Sequence, residues 1–232
     1  MGVVQLTLTK PANGQVFTGA AAVPLAGRLD STPSGPLFYA WYSSLYVAPD
    51  PVTDAALHRP SNPQTEVTKP LEVGTHVLMF TAKDVAGEDK ASIAAVQEAG
   101  MAGGPVGTPS PCLVTVLTAT LVQPSAPGAN LSKAGAILSA KAPVNWSQPD
   151  YPAINRVGYT FTFSSGSTSV PFTPNPNSLV FEGDPAPPKV RYTGPLPASL
   201  PVGAYQLRLR VFDLQNTAVA HESAPLAVNV TA

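Results

Sequence analysis

Hydrophobic and polar residues alternate in two segments with nearly the same pattern, "LEVGTHVLMFTAKD" at 71–84 and "LPVGAYQLRLRVFD" at 200–213. Each segment enters through a Gly turn and continues with alternate apolar positions, which is typical of a half-buried β-strand. Because side chains on a strand point to opposite faces in turn, one set of positions must face a core and Arg208 and Arg210 must face solvent. The core-facing positions are His76, Leu78, Phe80, Ala82 and Asp84 in the first segment and Tyr205, Leu207, Leu209, Val211 and Asp213 in the second.

The duplication extends over most of the chain. Similar blocks recur in the same order at 6–17 and 119–131, at 21–27 and 135–141, at 38–44 and 158–165, and at 111–116 and 225–230. Such a repeat predicts two copies of one domain, residues 1–116 and 117–232. Each copy has about seven short alternating segments separated by turn signals, the pattern of an antiparallel β-sandwich. The fold class predicted is therefore all-β, with two tandem sandwiches.

The junction between the copies reads "CLVTVLTATLVQP" at 112–124. It is alternating and rich in β-branched residues, whereas a flexible linker is rich in Gly and Ser or polar throughout. The sequence therefore predicts a stiff connection and a rod on the order of 60–80 Å, from strands of about ten residues at roughly 3.3 Å each.

Composition supports short strands and limits the classes of partner. The 27 Pro and 18 Gly residues argue against long helices. The 13 basic and 14 acidic residues are scattered along the chain. Without a basic patch, neither nucleic acid nor an anionic membrane surface is an expected partner. No apolar stretch is long enough to span a bilayer, so no membrane insertion is expected. The first residues, "MGVVQLTLTK", lack the pattern of a signal peptide.

Both halves resemble bacterial immunoglobulin-like domains of the polycystic-kidney-disease (PKD) type. The resemblance rests on "PANGQVFTGAAAVPLAG", "YAW" at 39–41 and "LEVGTHVLMFTAKDVAG" in the first half, and on "QPSAPGANL", "YTF" at 159–161 and "LPVGAYQLRLRVFD" in the second. The Gly-Asp-Gly turn usual after the Trp motif is absent. Domains of this type serve in bacterial surface proteins, adhesins and multi-subunit assemblies, so the resemblance implies a location outside the cell.

The resemblance also implies roles for individual residues. Tyr205 stands two residues after Gly203, where these folds carry a Tyr that closes the corner into the strand, and His76 takes that place in the first half. Trp41 and Phe161 correspond to the core aromatic residues of the third strand. Leu78 and Leu207 stand where an antibody-type domain has its second disulfide Cys, so no such bridge is expected.

Three segments exceed what a sandwich needs, at 46–69, 85–111 and 165–194. Long loops are often functional or disordered. The first contains Asp50, Asp54 and His58, which suit either a cation site or a solvated loop in which Asp54 caps a helix over "AALH". The second contains "DKASIAAVQEAG", which suits either a short helix or a protruding β-ribbon. Asp84 and Asp213, at the ends of matching strands, are predicted to form turns.

Signatures of catalysis are missing from the sequence. It has no Gly-x-Ser-x-Gly elbow, no phosphate-binding Gly loop and no evident pair of catalytic carboxylates. His58, His76 and His221 stand apart, and Cys112, the only cysteine, lies in an apolar setting that predicts a buried thiol. We therefore predict no catalytic, cofactor-binding or metal-binding residues.

The predicted function is that of a non-catalytic structural or interaction protein, which spaces or docks protein partners or self-assembles. The alternative is a carbohydrate-binding accessory module. Its candidate ligand residues are Trp146, Tyr151 and Asn155 in "VNWSQPDYPAINR", near a strand end. An exposed Trp and Tyr can form a flat platform for a glycan, whereas a Trp146 packed over the domain edge would have only a structural role.

Overall fold

The chain is all-β and consists of two tandem immunoglobulin-like antiparallel β-sandwiches. The computed structural model describes residues 6–19, 22–29, 38–45, 55–58, 66–71, 73–83, 89–93, 112–148, 151–154, 156–182 and 188–232. The chain divides into two compact units. One is built from residues before 116, and the other from Val116–Ala232 with the short pieces Thr18–Ala20 and Glu72–Gly74. No helix in the described ranges is long and apolar enough to cross a membrane.

The described strands of the first unit form two sheets. One sheet has the order β1-β3-β6, and the other the order β2-β9-β7-β4-β5 with β8 paired to β7. The strands are β1 (Leu6–Lys10), β2 (Gln15–Thr18), β3 (Ala22–Leu29), β4 (Phe38–Leu45), β5 (Ala55–His58), β6 (Glu66–Pro70), β7 (Gly74–Lys83), β8 (Asp89–Ile93) and β9 (Cys112–Leu117).

The second unit repeats this arrangement, and its described strands include one more sheet strand and a hairpin. Its sheets have the orders β10-β12-β18-β17 and β11-β21-β19-β15-β16, with β20 paired to β19 and β13 paired to β14. A short 3-10 helix (Pro176–Ser178) precedes β17. The strands are β10 (Thr120–Gln123), β11 (Ala129–Ser132), β12 (Ala136–Lys141), β13 (Trp146–Gln148), β14 (Tyr151–Ile154), β15 (Val157–Ser165), β16 (Thr168–Phe172), β17 (Leu179–Glu182), β18 (Lys189–Gly194), β19 (Gly203–Asp213), β20 (Ala220–Glu222) and β21 (Leu226–Thr231).

The first strand of each copy is split by a turn so that its two halves join different sheets. In the second unit β10 pairs with β12, whereas β11 runs parallel to β21. The same turn hydrogen bond marks both copies, since Gly14 N donates to Leu113 O and Gly128 N donates to Ala227 O, each at 2.7 Å. Both glycines have a positive φ, 74° and 76°, which favours Gly at this turn. The parallel pair is a feature that the alternation pattern does not predict.

The duplicated segment forms the core strand of each unit, as predicted. In β7 the side chains of His76, Leu78 and Phe80 are buried, and Arg208 on β19 is exposed. Ala82 and Asp84 fall outside the residues whose side chains the structure describes. The predicted core-facing residues of β19 are all buried: Tyr205, Leu207, Leu209, Val211 and Asp213.

The predicted corner in the second unit is present. The Tyr205 hydroxyl donates to Pro201 O at 3.1 Å, which ties the start of β19 to the chain before it. Phe161 is fully buried and pairs with Leu209 across β15 and β19, as expected of a core aromatic residue. Trp41 occupies the matching backbone position opposite Phe80; its side chain lies outside the described part.

Two expectations about the long segments are wrong. The segment 165–194 is largely ordinary sandwich structure, because it contains β16, β17 and β18. The segment "AALH" is strand β5, so the helix that Asp54 was expected to cap is not formed. These strands have only four to six residues, too few for a clear alternation of apolar positions to stand out between prolines.

The described residues of the second long segment form a strand and not a helix. Residues Asp89–Ile93 form β8, which pairs antiparallel with β7 from Phe80 to Lys83. Asp50 and residues 94–111 lie outside the described part, so the predictions made for them stay untested.

Candidate functional site

Two of the three candidate ligand residues, Trp146 and Tyr151, belong to a two-stranded hairpin between β12 and β15. Trp146 opens β13 and pairs with Ile154, and Tyr151 opens β14 and pairs with Gln148, with a register shift between the two pairs. The backbone thus brings Trp146 and Tyr151 onto adjacent strands. Asn155 and the side chains of the hairpin lie outside the described part, so a glycan platform at this place stays a prediction.

Asn145 closes the base of this hairpin with three hydrogen bonds. Its Oδ1 accepts from Arg156 N at 3.0 Å and from Val157 N at 2.8 Å, and its Nδ2 donates to Val157 O at 2.7 Å. These hydrogen bonds from a side-chain amide to the backbone take the place of the backbone–backbone hydrogen bonds that would close a regular hairpin. The chain is therefore fixed at the point where it enters β13, which begins with Trp146. In the sequence, the signal for this hairpin base is an Asn directly before a short strand.

A buried tyrosine lies beside the same base. The Tyr159 hydroxyl donates to Pro143 O at 2.6 Å, and burial raises the pKa of this phenol far above its usual range. The group stays neutral at any physiological pH. It acts as a fixed donor to the backbone and not as an acid or base.

Arg156 and Asp213 form the most buried ion pair among the described residues. Arg156 Nε donates to Asp213 Oδ1 and Arg156 Nη2 to Oδ2, each at 3.0 Å, while the Asp213 side chain is 3% exposed. Asp213 Oδ1 also accepts from Gln215 N at 3.0 Å, so the predicted turn role of Asp213 is confirmed. Burial alone raises the pKa of Asp213, but the hydrogen bonds from Arg156 and Gln215 and the charge of Arg156 outweigh it, and the pKa is lowered.

The histidines have separate surroundings. His221 Nδ1 accepts from Ala119 N at 3.1 Å, which links β20 to the segment between β9 and β10. His76 is buried at the place of the corner Tyr, and His58 lies in β5. Among the described residues, no group of three or more His, Cys, Asp or Glu side chains is close enough to hold a metal ion. Asp50 and Asp54 lie outside those residues.

Cys112 is a buried thiol, as its apolar neighbourhood predicted. Its side chain is fully buried, its Sγ lies 3.7 Å from Pro11 O, and burial raises the pKa of the thiol to about 12. A thiolate is the reactive form, so this cysteine is inert in the folded chain.

The chain matches known proteins by structure and not by sequence. No family model matches the chain, and no curated protein matches its sequence. Among solved structures, the fibronectin(III)-like modules of Clostridium thermocellum CbhA share 14% identity, with 97% of this chain and 93% of that chain covered and a TM-score of 0.33. The chicken CNTN1 FN1–FN3 domains share 14% identity, with 98% and 65% covered and a TM-score of 0.42. The N-terminal four Ig domains of Dscam1 isoform 6.44 share 11% identity, with 100% and 46% covered and a TM-score of 0.37.

Proposed function

We propose that the chain is a non-catalytic structural or interaction protein that docks or spaces protein partners, or copies of itself. The observation that carries this proposal is that the groups best suited to chemistry in the second unit are bound into its fold. Asp213 is held by Arg156, His221 accepts a backbone N–H, and the Tyr159 hydroxyl is buried against a carbonyl. Groups used in this way stabilise a sandwich and leave its surface and strand edges for contacts.

The finer parts of the proposal rest on the sequence. We assign residues 1–116 and 117–232 to two domains of the PKD type, on the repeated motifs described above. The β-branched junction at 112–124 supports a stiff two-domain module. The family resemblance supports a place in a bacterial surface or multi-subunit assembly, and fold alone does not decide function.

A capture experiment tests this function. The intact chain, immobilised, is exposed to extracts of its source cells, and each retained protein is then purified and its binding measured by calorimetry. We expect at least one protein to bind the folded chain and not the chain unfolded in urea. Absence of any purified binder, together with a turnover activity for the isolated chain, would overturn the proposal.

Carbohydrate binding is the second candidate function, and the hairpin β13–β14 favours it. The hairpin forms a sheet of its own, its base is fixed by Asn145, and it carries Trp146 and Tyr151 on adjacent strands. Affinity gels with soluble polysaccharides test this function. Retardation that is lost in Trp146→Ala and kept in Phe212→Ala, a matched aromatic change outside the hairpin, is the expected result. Retardation by no polysaccharide, or equal retardation of both variants, excludes the hairpin as a glycan site.

A further inference from the structure

The edge strands of the second unit differ in how well they are protected against pairing with another chain. Among the strands that the structure describes, the two sheets end in β10 and β17 and in β11 and β16. Edge strands carry unpaired backbone groups, and proteins protect them with Pro, with charges or by keeping them short. β16 contains Pro171. β17 contains no Pro and exposes two large apolar side chains, Val180 at 47% and Phe181 at 37%.

We propose that β17 pairs with β17 of a second copy of this chain, antiparallel, with Phe181 opposite the partner's Phe181. The pairing joins two four-stranded sheets into one eight-stranded sheet by strand addition. The proposal rests on the interaction function proposed above and names its surface and its partner. Two identical edges related by a two-fold axis form a closed dimer.

The faces of the strand restrict the register. Val180 pairs with Arg191 and Glu182 pairs with Lys189 on β18, and these residues lie on the outer face of the sheet. Phe181 pairs with the fully buried Val190, on the inner face. Directly opposed residues of an antiparallel pair lie on the same face, so Phe181 must meet an inner residue of the partner. With Phe181 at the two-fold axis, Val180 meets the partner's Glu182.

Charge complementarity favours this register and this occupant. Arg191 Nη2 lies 3.0 Å from Glu182 Oε1, so the guanidinium already lies over β17, and the two side chains remain 43% and 40% exposed. In the dimer, the partner's Glu182 lies opposite Val180. The two β17 strands are about 4.8 Å apart, so this carboxylate lies near Arg191, whose side chain extends over β17. Each Arg191 then lies between two carboxylates.

The Phe181 ring is held in place before any pairing. It lies beside the Tyr159 ring, with the ring centroids 6.0 Å apart and the planes tilted by 40°. A side chain ordered in advance loses less conformational entropy when it binds. The contact is nevertheless small, since β17 has four residues. It is below the roughly 1,200 Å² typical of stable complexes, so we expect a dissociation constant on the order of 10–100 μM.

Sedimentation velocity of the purified full chain, from about 5 to 500 μM, tests the proposal directly. We expect a monomer–dimer equilibrium for the wild type. Val180→Glu should weaken it at least tenfold, because it places a carboxylate opposite the partner's Glu182, and Ser169→Glu on β16, an edge strand of the other sheet, should leave it unchanged. Both positions are exposed, and circular dichroism checks that both variants are folded. A monomer at every concentration, or a dimer that Val180→Glu leaves intact, overturns the proposal.

Cross-linking tests the register. Phe181→Cys should form a disulfide dimer under mild oxidation, because residues opposed at a two-fold axis are close enough, whereas Val180→Cys should form it more slowly by at least tenfold. The native Cys112 is buried and does not compete. Equal rates for the two variants refute the register. These experiments use the purified chain alone, so their failure leaves the capture of other proteins unaffected.

Discussion

The guanidinium of Arg156 holds the carboxylate of Asp213 through two parallel hydrogen bonds of 3.0 Å each. Arg156 lies directly before β15, and Asp213 is the last residue of β19. These two strands pair along their length, with Val157 opposite Asp213. The ion pair therefore fixes the end of the central strand pair, at the same place where Asn145 closes the hairpin β13–β14.

Replacing the guanidinium should destabilise the second unit. Arg156→Ala leaves the Asp213 carboxylate buried with only the Gln215 N–H as a donor, and the expected loss in the free energy of unfolding is about 2–3 kcal/mol. Equilibrium urea unfolding measures it. The matched control is Arg208→Ala, because Arg208 is exposed and lies 4.0 Å from Glu222. A loss for Arg156→Ala no larger than that of the control would contradict the buried ion pair.

Acid should remove the same contribution. The pKa of Asp213 lies below its ordinary value of 3.8 in the folded chain, so the folded state favours the ionised form. The stabilisation is therefore complete above the unfolded value, near pH 4, and is lost as the pH falls through the folded pKa. Unfolding free energies of wild type and Asp213→Asn between pH 2 and 6 test this. The difference between them should shrink below about pH 4; a difference that is constant with pH would point to a cause other than ionisation.

The strands that the sequence predicts best are those with long alternating patterns. β7 and β19 have ten and eleven residues, and their buried positions follow from alternation alone. The Tyr205 corner was also predictable, because its spacing from Gly203 is local. β17 is not predictable in this way, because its four residues show no alternation of buried and exposed positions.

The contacts around the candidate hairpin were less predictable, for a physical reason. Arg156 and Asp213 are 57 residues apart, so their pairing depends on the register of β15 against β19. Local patterns fix which face a residue occupies, but not its partner on another strand. Asn145 gives a weak signal because Asn is also common in ordinary turns.

Two tyrosine hydroxyls should differ in their contribution to stability. Tyr159→Phe leaves Pro143 O buried without its donor, whereas Tyr205→Phe removes a longer, partly exposed bond to Pro201 O. We expect losses of about 1–3 kcal/mol and about 0.5–1.5 kcal/mol, respectively. Urea unfolding of the two variants, each altered by one oxygen atom, gives the comparison. The reverse order would show that the Tyr205 corner is the more important tie.

Cys112 should resist thiol reagents while the chain is folded. Its burial excludes the reagent, and its pKa of about 12 leaves little thiolate at neutral pH. A chromogenic disulfide reagent at pH 8 should label it at least a hundredfold more slowly in buffer than in concentrated urea. The exposed cysteine of Ser169→Cys serves as the control for reagent activity. Rapid labelling of Cys112 in buffer would mean that β9 opens readily from its sheet.

Two glycines covered by phenylalanine rings should respond differently to the same substitution. A Cβ at Gly27 would lie 2.3 Å from Phe80 Cε1, and a Cβ at Gly158 would lie 2.4 Å from Phe212 Cζ. Phe80 is fully buried and cannot move without disturbing the core, so Gly27→Ala should cost about 1–3 kcal/mol. Phe212 is half-buried and can swing outward, at the cost of its contact with Arg210, whose guanidinium carbon lies 4.9 Å from the ring centroid. Gly158→Ala should therefore cost less than about 1 kcal/mol. Calorimetric melting of both variants measures the two costs, and an equal or larger cost at Gly158 would show that the Phe212 ring is fixed by more than this stack.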